Sequence, residues 1–487
     1  MYKKEKTMYN RFRNRRKILT FAITISFTWI CTSCTFNISK NGSEELGNIV
    51  NSPVLPGDFA DPCFIQYKDT FYLYASPGDS KHACVWYSTD FRNWRMRRLN
   101  WPTTDLGRYI WGSNVVKGKD NRFYFFSTVA SNIFVGVADH PMGPFHNLLP
   151  NELPLIRNKQ FWDDMHSIHA DCFIDDDGQA YLYWGSGFDY RNGKCAVVKL
   201  NDDMCSFSEA PRLITPRNFF EGPRMIKRNN TYYLLFSDGI LLDDTYKIRY
   251  ATSKSPLGPF KEGTTSPILT TTEDGKVRGP GHPSIFRINK KDYILYQRHG
   301  IPVSFPNMIP LRQICLDEIY FDELGQIKKI VPDLDGVQLL GVTSPANEIK
   351  PLDILKATAS SYEGKEYHPE KAFDDKNGTL WSVSAQDIPA WLNADLGSVR
   401  SVESCSPVFD RIDGNYDYII EYSENKKEWH PYGIGNNSTA KEWPVLISKK
   451  VMARYIRIHI YSQDKTYFRG GLWEFRILGP PLNEIRI

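Results

Sequence analysis

Five polar residues stand at nearly the same place in five separate stretches of the chain, and three of them are carboxylic acids. Each lies 10 to 12 residues before a tyrosine in a segment that recurs along the chain. The surrounding residues are apolar or small, as in FADPCFI, IHADCFI and FFEGPRMI. A carboxylate in such a run is costly to bury unless it is paired, hydrogen-bonded or functional. Converging acids of this kind suit general acid and general base chemistry, and the five residues are Asp61, Asn114, Asp171, Glu221 and His282.

The recurring segment that positions these residues is a polar turn followed by a strand centred on a tyrosine. Its five copies are DTFYLYAS, NRFYFFST, GQAYLYWG, NTYYLLFS and KKDYILYQ, spaced 52 to 60 residues apart. Short strands with Gly, Pro and Asp turns fill each unit, and no helical stripe is evident. Five units of this size predict an all-β fold that begins with a five-bladed β-propeller. Because the first strand of each blade lines the central axis, the five polar residues are expected to converge on one axial pocket.

The length and charge of the chain set further limits. A chain of 487 residues exceeds what a single hydrophobic core usually serves, so at least two domains are expected. The repeat stops after Pro345, which places a second domain at 346–487. The formal net charge is +4, but eight basic side chains lie within residues 3–17 and the remainder is net negative. This distribution argues against a nucleic-acid partner.

The N-terminal stretch has the pattern of an export signal. An apolar run at 18–30 follows the basic residues; it is too short to span a bilayer but suits the hydrophobic region of a signal peptide. The following Cys31-Thr32-Ser33-Cys34 resembles a bacterial lipoprotein processing site, although Cys31 replaces the usual leucine. We therefore expect a signal peptide at 1–34, a lipid on Cys34, a tether at 35–50 and attachment to a bacterial outer membrane or cell surface. Periplasmic or secreted protein is the alternative.

Several of these stretches together resemble glycoside hydrolase family 43. The resemblance covers residues 50–340 and adds IWGSNVV, ADCFIDDDGQAYLYWG, GPGHPSIF and RQICLDEIYFDELGQI to the stretches quoted above. It implies a propeller domain at 51–345 that hydrolyses α-L-arabinofuranosidic or β-xylosidic bonds in plant polysaccharide with inversion. No cofactor is required for this chemistry.

The resemblance also implies roles for the acids. Asp61 is expected to be the general base that activates water, and Glu221 the general acid that protonates the leaving oxygen. Asp171 is expected to orient Glu221 and raise the pKa of its carboxyl group, since a nearby carboxylate favours the protonated form. Inversion requires the acid and the base to stand about 6.5–9.5 Å apart, a separation that opposite walls of a propeller pore can provide.

Substrate contacts are expected from residues near the axis, although the second blade departs from the family pattern. WGSN stands where the family commonly has a WAP-type sequence. The residues expected to bind substrate are Trp111, Asn114, His282, Arg298 and Arg312.

The C-terminal stretches YHPEKAFDDKNGTLWS, PAWLNADLGSVRSV, YDYIIEYSENKKEWH, ARYIRIHIY and GLWEFRILG resemble a discoidin-like (coagulation factor 5/8 type C) domain. This resemblance implies a β-sandwich jelly roll at 346–487, many relatives of which bind galactose-type sugars. It also implies a structural calcium held by Asp374, Thr379 and Glu474. The domain is expected either to bind glycan or to buttress the propeller.

Three functions remain open on the sequence. The first is an exo-acting glycosidase that removes a terminal pentose. The second is an endo-acting arabinanase or galactanase, which would need an open groove across the propeller face. The third is a non-catalytic glycan-binding lipoprotein, which the three intact acids disfavour.

Overall fold

The structure is a computed structural model. It describes residues 47–78, 82–102, 110–300, 310–345, 349–412, 414–440, 442–463 and 469–480, all within one compact unit. The expected signal peptide, Cys34 and most of the tether lie outside the described residues. Among the described residues, no helix has the length and apolar character needed to cross a membrane.

The first part of the chain forms five antiparallel sheets arranged as the blades of a propeller, as the repeat predicted. The central strands are buried on both faces and are therefore mostly apolar, as in FYFFSTV, where every residue is buried. The strands are β1 (Gly47–Val50), β2 (Phe59–Tyr67), β3 (Thr70–Pro77), β4 (Cys84–Ser88), β5 (Arg95–Arg98), β6 (Ile110–Lys117), β7 (Phe123–Val129), β8 (Asn132–Ala138), β9 (His146–Asn147), β10 (Asp171–Ile174), β11 (Ala180–Trp184), β12 (Ala196–Lys199), β13 (Arg212–Leu213), β14 (Glu221–Arg228), β15 (Thr231–Asp238), β16 (Lys247–Ser253), β17 (Lys261–Glu262), β18 (Gly281–Ile288), β19 (Lys291–His299), β20 (Arg312–Glu318) and β21 (Val337–Leu340).

Each blade is a meander whose first strand faces the axis. Blades 1 to 4 are β2–β5, β6–β9, β10–β13 and β14–β17, and blade 5 is the three-stranded β18–β20. The N-terminal segment closes the ring against blade 5. The Val54 amide donates to the Ile314 carbonyl at 2.7 Å, and the Ser52 hydroxyl bonds the Leu316 carbonyl and amide at 3.1 and 2.9 Å. Nearby, β1 pairs with β21, so the two ends of the propeller sequence meet at one seam.

The C-terminal part is a β-sandwich, as expected. Long strands carry its core, which is lined by side chains such as Trp381, Leu392 and Ile458. Four short 3₁₀ turns, 365–367, 369–372, 385–387 and 437–439, connect its strands. Those strands are β22 (Lys350–Pro351), β23 (Lys356–Ala359), β24 (Trp381–Ser384), β25 (Ala390–Phe409), β26 (Asp417–Ser423), β27 (His430–Asn436), β28 (Glu442–Trp443), β29 (Ile447–Ser462) and β30 (Arg469–Gly479).

The sandwich is fused to blade 1 of the propeller. Its strand β28 pairs antiparallel with β5, so blade 1 gains a fifth strand. Trp443 on β28 is buried and packs on Trp86 and Phe59, with ring centroids 5.3 and 6.5 Å away. The Asn377 side chain donates to the carbonyls of Pro53 and Val54 at the propeller seam. One hydrophobic cluster therefore runs from the propeller into the sandwich.

Candidate active site

The first strand of every blade carries the same local irregularity where it meets the axis. In β2, β6, β14 and β18 the pairing register shifts across two residues, which is a β-bulge. Blade 3 has the equivalent break between Ile168, whose carbonyl accepts from Gly185, and Asp171, which pairs with Tyr183. The first residue of each break has a left-handed backbone. These five residues are Asp61 (φ 52), Gly112 (φ 61), His169 (φ 58), Gly222 (φ 62) and His282 (φ 50).

The number of residues between an axial residue and the bulge of its strand sets the level of that residue along the axis of the pore. Asp61 and His282 occupy the level of the bulge, as the spacing predicted. Glu221 stands one residue before it, whereas Asn114 and Asp171 stand two residues after it. The spacing counted back from the tyrosines placed all five residues at one level, and the structure separates them into three. Part of this difference comes from the turn between the first and second strands, which is longer in blades 2 and 3 (118–122 and 175–179) than in the other blades. The rest reflects the unequal spacing of 10 to 12 residues between each polar residue and its tyrosine.

Asp61 is a buried carboxylate with three polar contacts. Its Oδ1 lies 3.0 Å from His282 Nδ1, its Oδ2 accepts from the Ser76 hydroxyl at 2.7 Å, and its amide donates to Gln297 Oε1 at 3.1 Å. Burial alone would raise the pKa of Asp61, but the nearby His282, His169 and Arg312 and the Ser76 hydroxyl hold that pKa below its ordinary value. Asp61 is therefore ionised at neutral pH, as a base must be.

Glu221 is buried and contacts a different set of groups. Its Oε1 accepts from the Tyr246 hydroxyl at 2.8 Å and its Oε2 from the Ser186 hydroxyl at 3.3 Å. His169 Nε2 lies 3.3 Å from Oε2. Burial would raise the pKa of Glu221, but His169, His282 and the Tyr246 hydroxyl lower it. The same contact raises the pKa of His169 against the effect of its own burial.

Two imidazole rings lie between these carboxylates. The rings of His169 and His282 are 4.3 Å apart between centroids. Burial lowers the pKa of His282 to about 4, so this ring is neutral at pH 7 and can donate Nδ1–H to Asp61. Asp61 on blade 1 and Glu221 on blade 4 are thus joined across the pore as carboxylate, imidazole, imidazole, carboxylate.

Asp171 belongs to a separate polar cluster deeper in the pore. Its oxygens accept from Arg224 Nη1 at 2.7 Å, the Met225 amide at 2.7 Å and Asn114 Nδ2 at 2.9 Å. Asn114 Oδ1 in turn accepts from the Cys172 amide at 3.1 Å. Both polar ends of the Asn114 side chain are therefore engaged by protein. Burial raises the pKa of Asp171, opposed by Arg224 and the Met225 amide.

The other expected substrate residues differ in how they are placed. Trp111 is partly exposed next to the bulge of blade 2. Arg312 is partly exposed and interacts electrostatically with Asp61, while its own amide donates to Asp58 Oδ1 at 2.8 Å. Arg298 is buried and donates to the Lys276 carbonyl and to Gln313 Oε1. Arg312 and Trp111 are thus better placed to meet a ligand than Arg298.

Three residues that contact the Glu221 carboxyl group were not predicted from the sequence. They are His169, Ser186 and Tyr246. His169 lies in IHADCFI, two residues before Asp171. The prediction assigned one axial polar residue to each repeat, and Asp171 filled that place in the third repeat. Tyr246 and Ser186 lie far from Glu221 in sequence, and no local pattern indicates their contact with it.

Asp61, His169 and His282 each offer a ligand-type atom within 4.8 Å of the others. Two of these groups already pair with each other, and His169 is turned towards Glu221. The contact between His169 and His282 is a ring contact, and these groups are engaged with protein partners, so we propose no metal at this position.

The residues expected to hold calcium do come together in the sandwich. The Thr379 hydroxyl donates to Asp374 Oδ1 at 2.8 Å. Glu474 is buried, and its Oε1 has no hydrogen-bond partner among the described residues. Burial, with Asp374 and Asp375 nearby, raises the pKa of Glu474 to about 8 against the effect of Arg476. A buried acid that lacks a partner and faces two other acids is suited to a divalent cation.

Comparison with known proteins gives two family matches. Residues 50–327 match the model for glycosyl hydrolases family 43, and residues 356–475 match the F5/8 type C domain. A β-D-galactofuranosidase of Aspergillus niger is 30% identical over 309 residues, covering 59% of this chain and 86% of that protein. An arabinoxylan arabinofuranohydrolase of Bacillus subtilis is 24% identical, covering 75% of this chain and 80% of that protein.

Two solved structures are similar to this chain, and one of them covers most of both domains. One described as a glycoside hydrolase superposes with a TM-score of 0.75 at 28% identity and covers 90% of this chain and 100% of its own. A thermostable family-43 glycoside hydrolase superposes with a TM-score of 0.50 at 25% identity and covers 58% of this chain and 96% of its own.

Proposed function

The chain belongs to glycosyl hydrolase family 43 and is a glycosidase, and we propose that it is an inverting, exo-acting enzyme that removes terminal α-L-arabinofuranosyl or related pentosyl units from plant polysaccharide. The observation that carries this proposal is the Asp61–His282–His169–Glu221 array. Retaining glycosidases hold their two carboxyl groups only about 5–5.5 Å apart. Two imidazole rings between Asp61 and Glu221 favour the wider separation that leaves room for an attacking water.

The nearby histidines lower the pKa of both carboxyl groups, but only Glu221 lies beside a histidine whose own pKa is raised. Asp61 is held ionised and can accept a proton from water as that water attacks the anomeric carbon. Glu221 lies beside His169, with which it can hold one proton for the departing glycosidic oxygen. Each turnover moves one proton onto Asp61 and one from Glu221 to the leaving group. Exchange with solvent restores both groups.

The two relatives described above are named for furanosides, whereas others are named β-xylosidase or xylosidase/arabinosidase. One similar protein is named an arabinofuranohydrolase and another a β-D-galactofuranosidase. α-L-Arabinofuranose and β-D-galactofuranose have the same ring configuration and differ only in the exocyclic group. A second candidate function is therefore β-D-galactofuranosidase activity, which the 30% identity to such an enzyme favours.

The test is hydrolysis by purified protein that lacks residues 1–34. Aryl α-L-arabinofuranoside, β-D-xyloside, β-D-galactofuranoside and β-D-galactopyranoside are compared, with Asp61→Asn and Glu221→Gln as controls. We expect release from a furanoside that falls by at least about 100-fold in both variants, with NMR showing the inverted anomer first. Release from arabinan or galactan alone would support endo action, and tight binding with no release would support a glycan-binding protein. Either result excludes the exo-acting proposal.

The localisation is proposed from the N-terminal pattern. We propose that Cys34 carries a lipid that anchors the protein to a bacterial outer membrane or cell surface. Labelled palmitate should then be incorporated into the full chain and not into a Cys34→Ala variant. Equal labelling of both would place the lipid elsewhere, and labelling of neither would indicate a periplasmic or secreted protein.

We also propose that Asp374, Thr379 and Glu474 hold a structural calcium ion. The ion would neutralise the buried Glu474 carboxylate, whose burial otherwise favours its protonated form. Calcium added to EDTA-treated protein should raise the melting temperature of the wild type and have a much smaller effect on Glu474→Gln. An equal rise in both proteins would mean that calcium binds elsewhere.

A further inference from the structure

His169 occupies in blade 3 the place that Asp61 occupies in blade 1. Both are the first residue of the bulge in the first strand of their blade, and both have a left-handed backbone, with φ 58 and φ 52. This conformation is uncommon for residues other than glycine. The shared geometry turns both side chains to the same level of the pore. Asp171, which the sequence predicted to orient Glu221, lies two residues further along the strand.

The contacts of the two residues follow from these levels. His169 Nε2 lies 3.3 Å from Glu221 Oε2. Asp171 is instead bonded to Arg224, the Met225 amide and Asn114. Among the residues that the structure describes, no hydrogen bond or ion pair joins Asp171 to Glu221.

Backbone and neighbouring residues confine the His169 side chain in this position. It is buried, and its amide donates to the Thr128 hydroxyl at 3.1 Å. One face of the ring rests on Gly112, where an added Cβ would lie 2.7 Å from His169 Nδ1. The ring of His282 lies 4.3 Å away between centroids. The backbone hydrogen bond, Gly112 and the His282 ring together orient the imidazole so that its Nε2 atom faces Glu221.

We propose that His169, rather than Asp171, orients the general acid Glu221 and shares its proton. His169 is a positioning residue that acts through Glu221. The Glu221–His169 pair holds one proton before the reaction. As the glycosidic bond breaks, this proton passes to the leaving oxygen, the water proton passes to Asp61, and solvent returns one proton to the pair. This inference rests on the proposed function for the role of Glu221.

Other charged and titratable groups face the pair and belong to the same electrostatic system. They come from blades 1, 3, 4 and 5 and are Asp61, His166, Tyr190, Tyr246, His282 and Arg312. None of these groups replaces the direct contact between His169 and Glu221 in the geometry above.

The experiment compares His169→Gln and Asp171→Asn with the wild type on two glycosides of the responsive sugar. One has a dinitrophenyl leaving group, which departs without protonation, and the other an alkyl leaving group, which requires it. We expect His169→Gln to lower kcat/KM for the alkyl glycoside about 10- to 100-fold, within the range of general acid catalysis, and to affect the dinitrophenyl glycoside far less. Asp171→Asn should lower both to a similar degree. His140→Gln, in blade 2 and outside the pore, is the matched control.

The pH dependence of kcat/KM distinguishes proton sharing by His169 from a purely structural role of this residue. The wild-type pair loses its proton at a pH at or above that of Glu221 alone, because His169 offers a second basic site for it. His169→Gln should therefore move the alkaline limb of kcat/KM to lower pH. Equal losses on both glycosides with an unmoved limb would overturn the inference. So would a leaving-group-dependent loss confined to Asp171→Asn.

A measurement without substrate separates this inference from the proposed function. Histidine-selective ¹⁵N NMR follows the titration of His169 in the wild type and in Glu221→Gln. We expect the pKa of His169 to fall when Glu221 becomes neutral. If the titration of His169 is the same in both proteins, the pairing of His169 with Glu221 is overturned. If the wild type hydrolyses no glycoside, the proposed function is excluded, and the NMR result still tests the pairing by itself.

Discussion

At the scale of single residues, the Ser76 hydroxyl adds to the effect of His282, His169 and Arg312 in holding Asp61 ionised. It donates to Asp61 Oδ2 at 2.7 Å and accepts from the Gly112 amide at 2.9 Å. This bond to the carboxylate lowers the pKa of Asp61. Ser76→Ala should therefore raise that pKa, so the acidic limb of kcat/KM should move to higher pH while the rate on the plateau falls modestly.

The control for this prediction is Ser127→Ala on the second strand of blade 2. Ser127 is also fully buried, but its hydroxyl has no hydrogen-bond partner among the described residues. Its removal should leave the acidic limb in place. If both variants shift the limb equally, the shift comes from packing and the assigned role of the Ser76 hydroxyl is wrong.

The residues of the site were only partly predictable for a physical reason. Asp61 and Glu221 are detectable because an acid in an apolar run is costly unless it has a role. The depth of each residue in the pore depends on its position relative to the bulge of its strand, and the place of the bulge leaves no mark in the local composition. For this reason the sequence predicted that Asp171 contacts Glu221, whereas the structure places His169 beside Glu221.

At the scale of elements, the two-residue strand β28 connects the sandwich to the strand that bears Asp61. Trp443 on β28 packs on Phe59, two residues before Asp61, and on Trp86. Trp443→Ala should lower the free energy of unfolding by about 3–5 kcal/mol, as removal of a buried tryptophan does. It should also lower kcat, because β2 loses support beside the base. Chemical denaturation and steady-state kinetics on the same preparation measure both effects.

Trp391→Ala on β25 is the matched control, since this tryptophan is only partly buried and lies in the sandwich. It should cost less stability and leave kcat unchanged. A Trp443 variant that is destabilised yet fully active would show that the sandwich supports the fold without supporting the site. The sequence predicted the propeller from its repeat and the sandwich from its family resemblance. Pairing between residues as distant as Trp443 and Met96 depends on tertiary packing that no local pattern encodes.

At the scale of the whole molecule, stability depends on the seam where the propeller ring closes. Asp317 on β20 accepts from the Tyr296 hydroxyl and from the Asp333 amide, both at 2.7 Å. It thereby ties blade 5 to the segment that leads to β21. Burial raises the pKa of Asp317 to about 7, so the folded protein favours the neutral acid.

The sign of the resulting pH effect follows from linkage. A raised pKa in the folded state contributes stability that is complete below the unfolded value of 3.8 and is lost as pH rises through about 7. Asp317→Asn keeps a neutral side chain at every pH and should remove this loss. Relative to wild type, its unfolding free energy should therefore increase between pH 5 and pH 8, by up to about 1.4 kcal/mol for each pKa unit. Denaturation in EDTA, which removes any contribution from bound calcium, measures the difference, and a gap between the two proteins that stays constant with pH would show that Asp317 is ionised in the folded seam.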